Sequence, residues 1–100
     1  MAKPVFEWSA IKRLAVLQER GLDFIDGQLL FDGRPLYTAP SRRGAEMRWL
    51  SIGELNGRLC AVVWTVRNDA IRIIRNDAIR IITMRRARHG EEARYRTLFG

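Results

Sequence analysis

Arginine is the residue type through which this chain could do chemistry. Sixteen of its eighteen basic residues are arginine, the formal charge is +7, and nine of the sixteen fall between Arg67 and Arg96 among four acids. A guanidinium stays protonated, binds phosphate through two parallel hydrogen bonds, stacks on nucleobases and stabilises charge that develops on phosphorus. Lysine would serve equally well for solubility, and a codon bias toward arginine does not gather it at one end of a chain. The pattern is that of a domain whose partner is a polyanion, RNA before others.

Other chemistries lack their parts. His89 and Cys60 are single residues of their kinds, too few for the usual zinc site, so no metal or other cofactor is expected. There is no glycine-rich phosphate loop and no Ser/His/Asp order. A lone cysteine leaves no internal disulfide and suits a reducing compartment, the cytoplasm. The longest apolar run, Leu59 to Val66, is too short to span a bilayer, and the first residues lack the apolar stretch of a secretory signal, so no membrane partner is expected.

The elements that must position these side chains can be read from periodicity. One hundred residues make one domain, 1–100. Phe6-Glu7-Trp8 reads as a short strand. Ser9 can cap a helix from Ala10 to about Arg20, with Ile11, Leu14, Ala15 and Val16 or Leu17 as its apolar stripe and Gly21 as its stop. A weaker second helix covers Leu22 to Leu30, with Phe24 and Leu29 or Leu30 inward, ended by Gly33-Arg34-Pro35. Residues 36–45, including Arg42-Arg43, read as loop or edge strand. Arg48 to Ile52 is a strand, Asn56-Gly57 a hairpin turn, and Leu59 to Trp64 a central strand apolar on both faces. The Ile-Arg-Ile-Ile segment is another strand, and a last helix runs from about Arg85 to Leu98. The expected class is α+β: two N-terminal helices and a C-terminal helix packed on one face of an antiparallel sheet of three or more strands.

Residues 67–74, Arg-Asn-Asp-Ala-Ile-Arg-Ile-Ile, recur at once as residues 75–82. Because eight is even, sliding by one repeat keeps every side chain on its face: Ile71, Ile73, Ile79 and Ile81 share one side, Arg72 and Arg80 the other. The second copy, which joins directly to the C-terminal segment, is expected to fill the sheet position. An exposed first copy could pair with another chain, giving a homodimer or a strand-exchanged oligomer.

Several motifs then line up in order: Phe6-Glu7-Trp8, Lys12, Gly21 and Phe24, Phe31-Asp32, Glu46-Met47-Arg48, Ile52-Gly53, Gly57-Arg58-Leu59, Val62 to Thr65, Ile79 to Ile82, Arg85-Arg86-Ala87, Glu91 and Tyr95. This series resembles the BrnT family of ribonuclease toxins from bacterial toxin–antitoxin pairs, over nearly the whole chain. The resemblance implies a RelE-like fold, metal-independent RNA cleavage that halts growth, and neutralisation by a DNA-binding partner, a BrnA-like ribbon-helix-helix antitoxin. The chain departs from the family pattern at Glu19-Arg20-Gly21, where Lys-His-Gly is usual, and in carrying two Ile-Arg-Ile-Ile segments.

RNA cleavage needs a base for the 2′-hydroxyl, in-line geometry and stabilised charge on phosphorus. Arginine can supply the last two but not the first. The base must therefore come from Glu46, Glu91, Lys12 or His89. Glu46 shares a side of the pleat with Arg48 and reads equally as a surface ion pair; Glu91 reads better as a helix-face partner of an arginine, and His89 as an exposed helix residue. Arg80, Arg85 and Arg86 are the best candidates for phosphate contacts, with Arg48 beside Glu46. Arg72, Arg88 and Tyr95 are candidates for RNA binding, Tyr95 equally for the core. Trp8, Trp64 and Cys60 read as core. A non-catalytic module that binds RNA or an antitoxin is the alternative to an enzyme.

Overall fold

The computed structural model describes residues 5–42, 46–67 and 78–100. Its elements are β1 (Val5–Glu7), α1 (Ala10–Arg20), α2 (Phe24–Gly27) continuing as a 3-10 turn (Gln28–Phe31), β2 (Tyr37–Arg42), β3 (Met47–Leu55), β4 (Arg58–Arg67), β5 (Ala78–Arg86) and α3 (His89–Phe99). The strands form one sheet in the order β1-β5-β4-β3-β2. The α+β class therefore holds. The nearly all-apolar β4 takes the centre, where both faces are covered, and β2, which contains Pro40, takes an edge where a missing N–H costs nothing.

Local chemistry accounts for the joints. Ser9 Oγ accepts from the Lys12 backbone N–H at 3.3 Å and starts α1; at its end the Gly21 N–H donates to the Leu17 carbonyl. Asp23 caps α2 through the Ile25 N–H at 3.0 Å and takes a two-pronged ion pair from Arg13, at 2.7 and 3.0 Å, which ties the two helices together. The Arg13 guanidinium holds the Asp23 carboxyl below its ordinary range. Asn56 and Gly57 both have positive φ, the two-residue hairpin turn that joins β3 to β4.

The sheet is mixed rather than purely antiparallel. β1 runs parallel to β5, pairing Val5, Phe6 and Glu7 with Ala78, Ile79 and Arg80. It closes an edge of β5 that would otherwise be open. Beyond Arg80 that edge is met by Arg20, whose Nη1 donates to the Met84 carbonyl at 2.7 Å.

The helices also divide between the two faces. Under α1 and α2 lie Val16, Phe24, Leu30, Leu55, Cys60, Val62, Ile81 and Met84, joined by Trp8 and Trp64. Under α3, Tyr95 packs with Ile52, Leu59 and Ala61 on the other face. The single-face arrangement expected from the sequence fails because β4 alternates two apolar sets, Leu59 and Ala61 against Cys60 and Val62, and each set needs cover. The core readings for Trp8, Trp64 and Cys60 agree with the packing. In α1, Val16 is buried but Ile11 and Leu14 are 83% and 53% exposed. The helix packs on β5 near the sheet's edge, so a narrow strip suffices. Leu30, not Leu29, points inward. The strand after Ala78 also runs further than periodicity suggests, through Arg86, and α3 begins only at His89.

The second repeat copy supplies the start of β5, at Ala78. Apart from Arg67, the first copy lies outside the described residues, and so do Arg72 and Arg43. The register of the hairpin is nevertheless informative. Arg67 pairs with Ala78, and removing one repeat would leave only Asn-Asp between such a pair. Eight residues are thus an insertion that a two-residue turn could replace. Deleting residues 67–74 should leave a cooperatively folded protein, at or above the parent's stability by up to about 1 kcal/mol, as read by denaturant unfolding; loss of the transition would make the first copy structural. A second expectation concerns Gly53, where an added Cβ would sit 2.7 Å from Leu30 Cδ2 and 3.0 Å from Leu36 Cδ1. Gly53→Ala should cost about 1–3 kcal/mol. Gly27→Ala should cost less in the same unfolding assay, because it meets the flexible thioether of Met84.

Candidate RNA-cleavage site

Among the described residues, only half of the α3 face of the sheet is covered. α3 lies over Ile52, Leu59 and Ala61, while toward the other end of β3, β4 and β5 the surface is concave and basic. Two adjoining cavities of about 260 Å³ each open there. One is lined by Ser9, Lys12, Glu46, Arg48 and Arg80 with Ile81 and Ile82. The other has Leu50, Val63 and Ile82 as its apolar part and Arg20, Arg48, Arg85 and Arg88 around it. Arg48 and Ile82 belong to both.

The strand register brings the arginines together. Thr65 pairs with Arg80, Val63 with Thr83 and Ala61 with Arg85, so Arg80 and Arg85 point to one face. Five residues apart, they would lie on opposite faces of a regular strand. The register breaks between Val63 and Trp64, which pair with Thr83 and Ile81, and leaves Ile82 as a bulge that resets the alternation. Arg48 joins them from β3, one residue before the Trp49–Trp64 pair, whose rings stack at 5.1 Å on the opposite face.

Each cation is held differently. Arg80 lies 3.8 Å from Glu7, and Arg48 lies 3.8 Å from Glu46. The Arg48 Nε is buried with no hydrogen-bond acceptor among the described residues. Arg85 is held rigidly: Nη1 and Nη2 donate to the two Glu91 oxygens at 2.7 and 2.9 Å, and Glu91 also accepts from the Arg88 backbone N–H at 2.8 Å. Hydrogen bonds from Arg85 hold the Glu91 carboxyl below its ordinary range, while the same pair raises the guanidinium. Both side chains are about four-fifths buried. A carboxylate so engaged is a poor proton acceptor, and its role is to aim Arg85 and to start α3. Lys12 reaches the cavity from the first turn of α1, a helix end whose free N–H groups favour an anion and which carries no acid there.

The structure thus brings together Lys12, Glu46, Arg48, Arg80, Arg85, Arg88 and, behind Arg85, Glu91. It separates two others from them. Arg86 pairs with Cys60 on the opposite face, where it lines a different cavity with Asp23, Asp26 and Arg58; adjacent strand residues point to opposite sides. Tyr95 is buried against Ile52, Leu59 and Ala61 and tilts on Phe99 at 5.0 Å, a core position away from the basic cavities. Arg72 lies outside the described residues. His89 is exposed at the first turn of α3 and lines neither cavity. Sequence reasoning missed Arg20 and the apolar trio Leu50, Val63 and Ile82; half-burial on a sheet face has no signature in spacing alone. Burial raises the Cys60 thiol, which fits a core residue and not a nucleophile. Among the described residues no three of His, Cys, Asp or Glu come together as a metal would need, and no helix is long and apolar enough to cross a membrane.

No curated protein matches the sequence. The family model for the ribonuclease toxin BrnT of type II toxin–antitoxin systems, however, matches residues 8–91, a span that includes both basic cavities and every strand that lines them. On that match this chain belongs to the BrnT family of ribonuclease toxins.

Proposed function

We propose that this chain is an active, metal-independent endoribonuclease that cuts RNA in the cytoplasm, and that a BrnA-like ribbon-helix-helix antitoxin neutralises it. The observation that carries the reading is the convergence of Lys12, Arg48 and Arg80 with Glu46 around one open cavity. Arg48 and Arg80 hold the scissile phosphate between them and stabilise the charge that builds on its oxygens. Glu46 takes the proton of the 2′-hydroxyl, whose oxygen attacks phosphorus. The P–O5′ bond breaks, the 5′ oxygen receives a proton from Lys12, and the products carry a 2′,3′-cyclic phosphate and a 5′-hydroxyl. Arg85, aimed by Glu91, steadies the neighbouring part of the RNA backbone together with Arg88.

A second reading, a module that binds RNA without cutting it, rests on Arg20. This residue stands where the family pattern usually has histidine, and it donates to the Met84 carbonyl and, at 3.3 Å, to Thr83 Oγ1. A permanently charged arginine cannot exchange protons as an imidazole does. Incubation with RNA separates the two: cleavage that persists in EDTA supports the enzyme, whereas retention of intact RNA that weakens steeply with salt supports the module.

Arg48→Ala and Arg80→Ala should each lower the cleavage rate by roughly 10²–10³-fold with the fold retained. Arg86→Ala, on the opposite face, should stay within a few-fold of the parent; an equal loss in all three would remove the cavity from the mechanism. Glu91→Gln tests the support behind Arg85. A carboxyl with a lowered folded pKa stabilises the native state above its unfolded value of about 4.3, and this contribution is lost as pH falls through the folded value. The variant should therefore lose roughly 1–3 kcal/mol at neutral pH. Unfolding curves of variant and parent should converge as the pH drops below about 4.

A further inference from the structure

We propose that the cavity floored by Leu50, Val63 and Ile82 is a pocket for one unpaired nucleobase, that of a nucleotide next to the scissile phosphate, so that the substrate is single-stranded RNA. The inference rests on the cleavage reading of the adjoining cavity and assigns the second one. Its chemistry differs from that of its neighbour. Leu50 and Val63 are cross-strand partners, and Val63 pairs in turn with Thr83, so the floor is a strip across three strands with the bulged Ile82 beside it. All three apolar side chains are only half-buried, an arrangement that leaves apolar surface facing water inside a ring of arginines. A phosphate gains nothing from such a floor, whereas the face of a base buries it.

The rim fits the same ligand. Arg20, Arg85 and Arg88 present guanidinium groups that can stack on a ring or donate to its acceptors. Arg20 and Arg85 are already fixed by the Met84 carbonyl and by Glu91, so they offer a preformed wall and not a mobile one. The volume of about 260 Å³ exceeds that of a water-sized gap and admits a flat ring. Arg48 lines both cavities, and its buried Nε has no acceptor among the described residues. A nucleotide bridging the two cavities would place a phosphate or ribose oxygen against the exposed part of the Arg48 guanidinium, with its base over Val63. A base paired in a duplex cannot enter, which is why the substrate must be single-stranded.

The test uses the 100-residue chain and three RNA oligonucleotides around a mapped cleavage site, one intact and two abasic, each at one of the two nucleotides that flank the site. The parent protein should cut the intact strand roughly tenfold or more faster than the strand abasic at one of the two positions. Val63→Phe, which fills the floor, should cut the intact strand only as fast as the parent cuts that abasic one. Equal rates for the parent on intact strand and both abasic strands would overturn the pocket, with or without a folded variant. Retained discrimination in a folded Val63→Phe would overturn its location. If the parent cuts none of the strands, the cleavage reading fails separately, and the pocket is then judged by retention: the intact strand must bind roughly tenfold more tightly than one abasic strand.

Discussion

A single extra residue in β5 sets the geometry on which the candidate site depends. Ile81 and Met84 are both buried under α1 and α2 although they are three positions apart, and this is compatible with a strand only if one residue between them is skipped by the ladder. Ile82 is that residue. The core fixes the bulge from below, since straightening the strand would expel either Ile81 or Met84 into water at a cost of roughly 2 kcal/mol or more. The consequence appears above, where Arg80 and Arg85 fall on one face and Arg86 is turned to the other. Packing of apolar side chains thus decides which arginines meet.

The second organising constraint is the partial cover of that face. α3 begins at His89, three residues after β5 ends, and the Arg85–Glu91 pair together with the Glu91 to Arg88 N–H bond fixes its first turn. The helix then runs over Ile52, Leu59 and Ala61, and among the described residues none covers the other end of that face, where the two cavities lie. One carboxylate therefore starts the helix, aims an arginine and sets the border between core and cleft. On the opposite side, Arg13 and Asp23 lock α1 to α2, and the first turn of α1 delivers Lys12 and Ser9 to the cleft. In the function proposed above these features share one purpose, because an RNA backbone needs an open, cationic and preformed surface.

Much of this was legible in the chain. Ser9 and Gly21 bound α1 because capping is a local matter, and Asn56-Gly57 closes its hairpin for the same reason. The continuous apolar run of β4 announced a strand buried on both faces, yet the distribution of helices over those faces was misjudged, since a run without alternation does not say which helix covers which side. Ile11 and Leu14 show the converse error: helical periodicity identifies an apolar stripe but not how much of it finds a partner. Buried hydroxyls were equally silent in the sequence. Ser51 accepts from Trp64 Nε1 at 2.8 Å and shares a hydrogen bond with Thr38, while Thr65 donates to the Met47 carbonyl at 2.6 Å.

The sequence by itself determined the kind of partner, the α+β class and the residue types available for catalysis, because charge, apolar periodicity and turn chemistry act over a few neighbours. It also determined that one copy of the repeat could replace the other without changing faces. Only the tertiary structure decided which of the arginines share a surface. Adjacent Arg85 and Arg86 diverge while Arg80 and Arg85 converge, and that outcome depends on a bulge fixed by Ile81 and Met84 against α1 and α2. Glu91 became a support for Arg85 through a contact that crosses from helix to strand, whereas the Glu46–Arg48 pair, two residues apart, is local and was legible in the spacing.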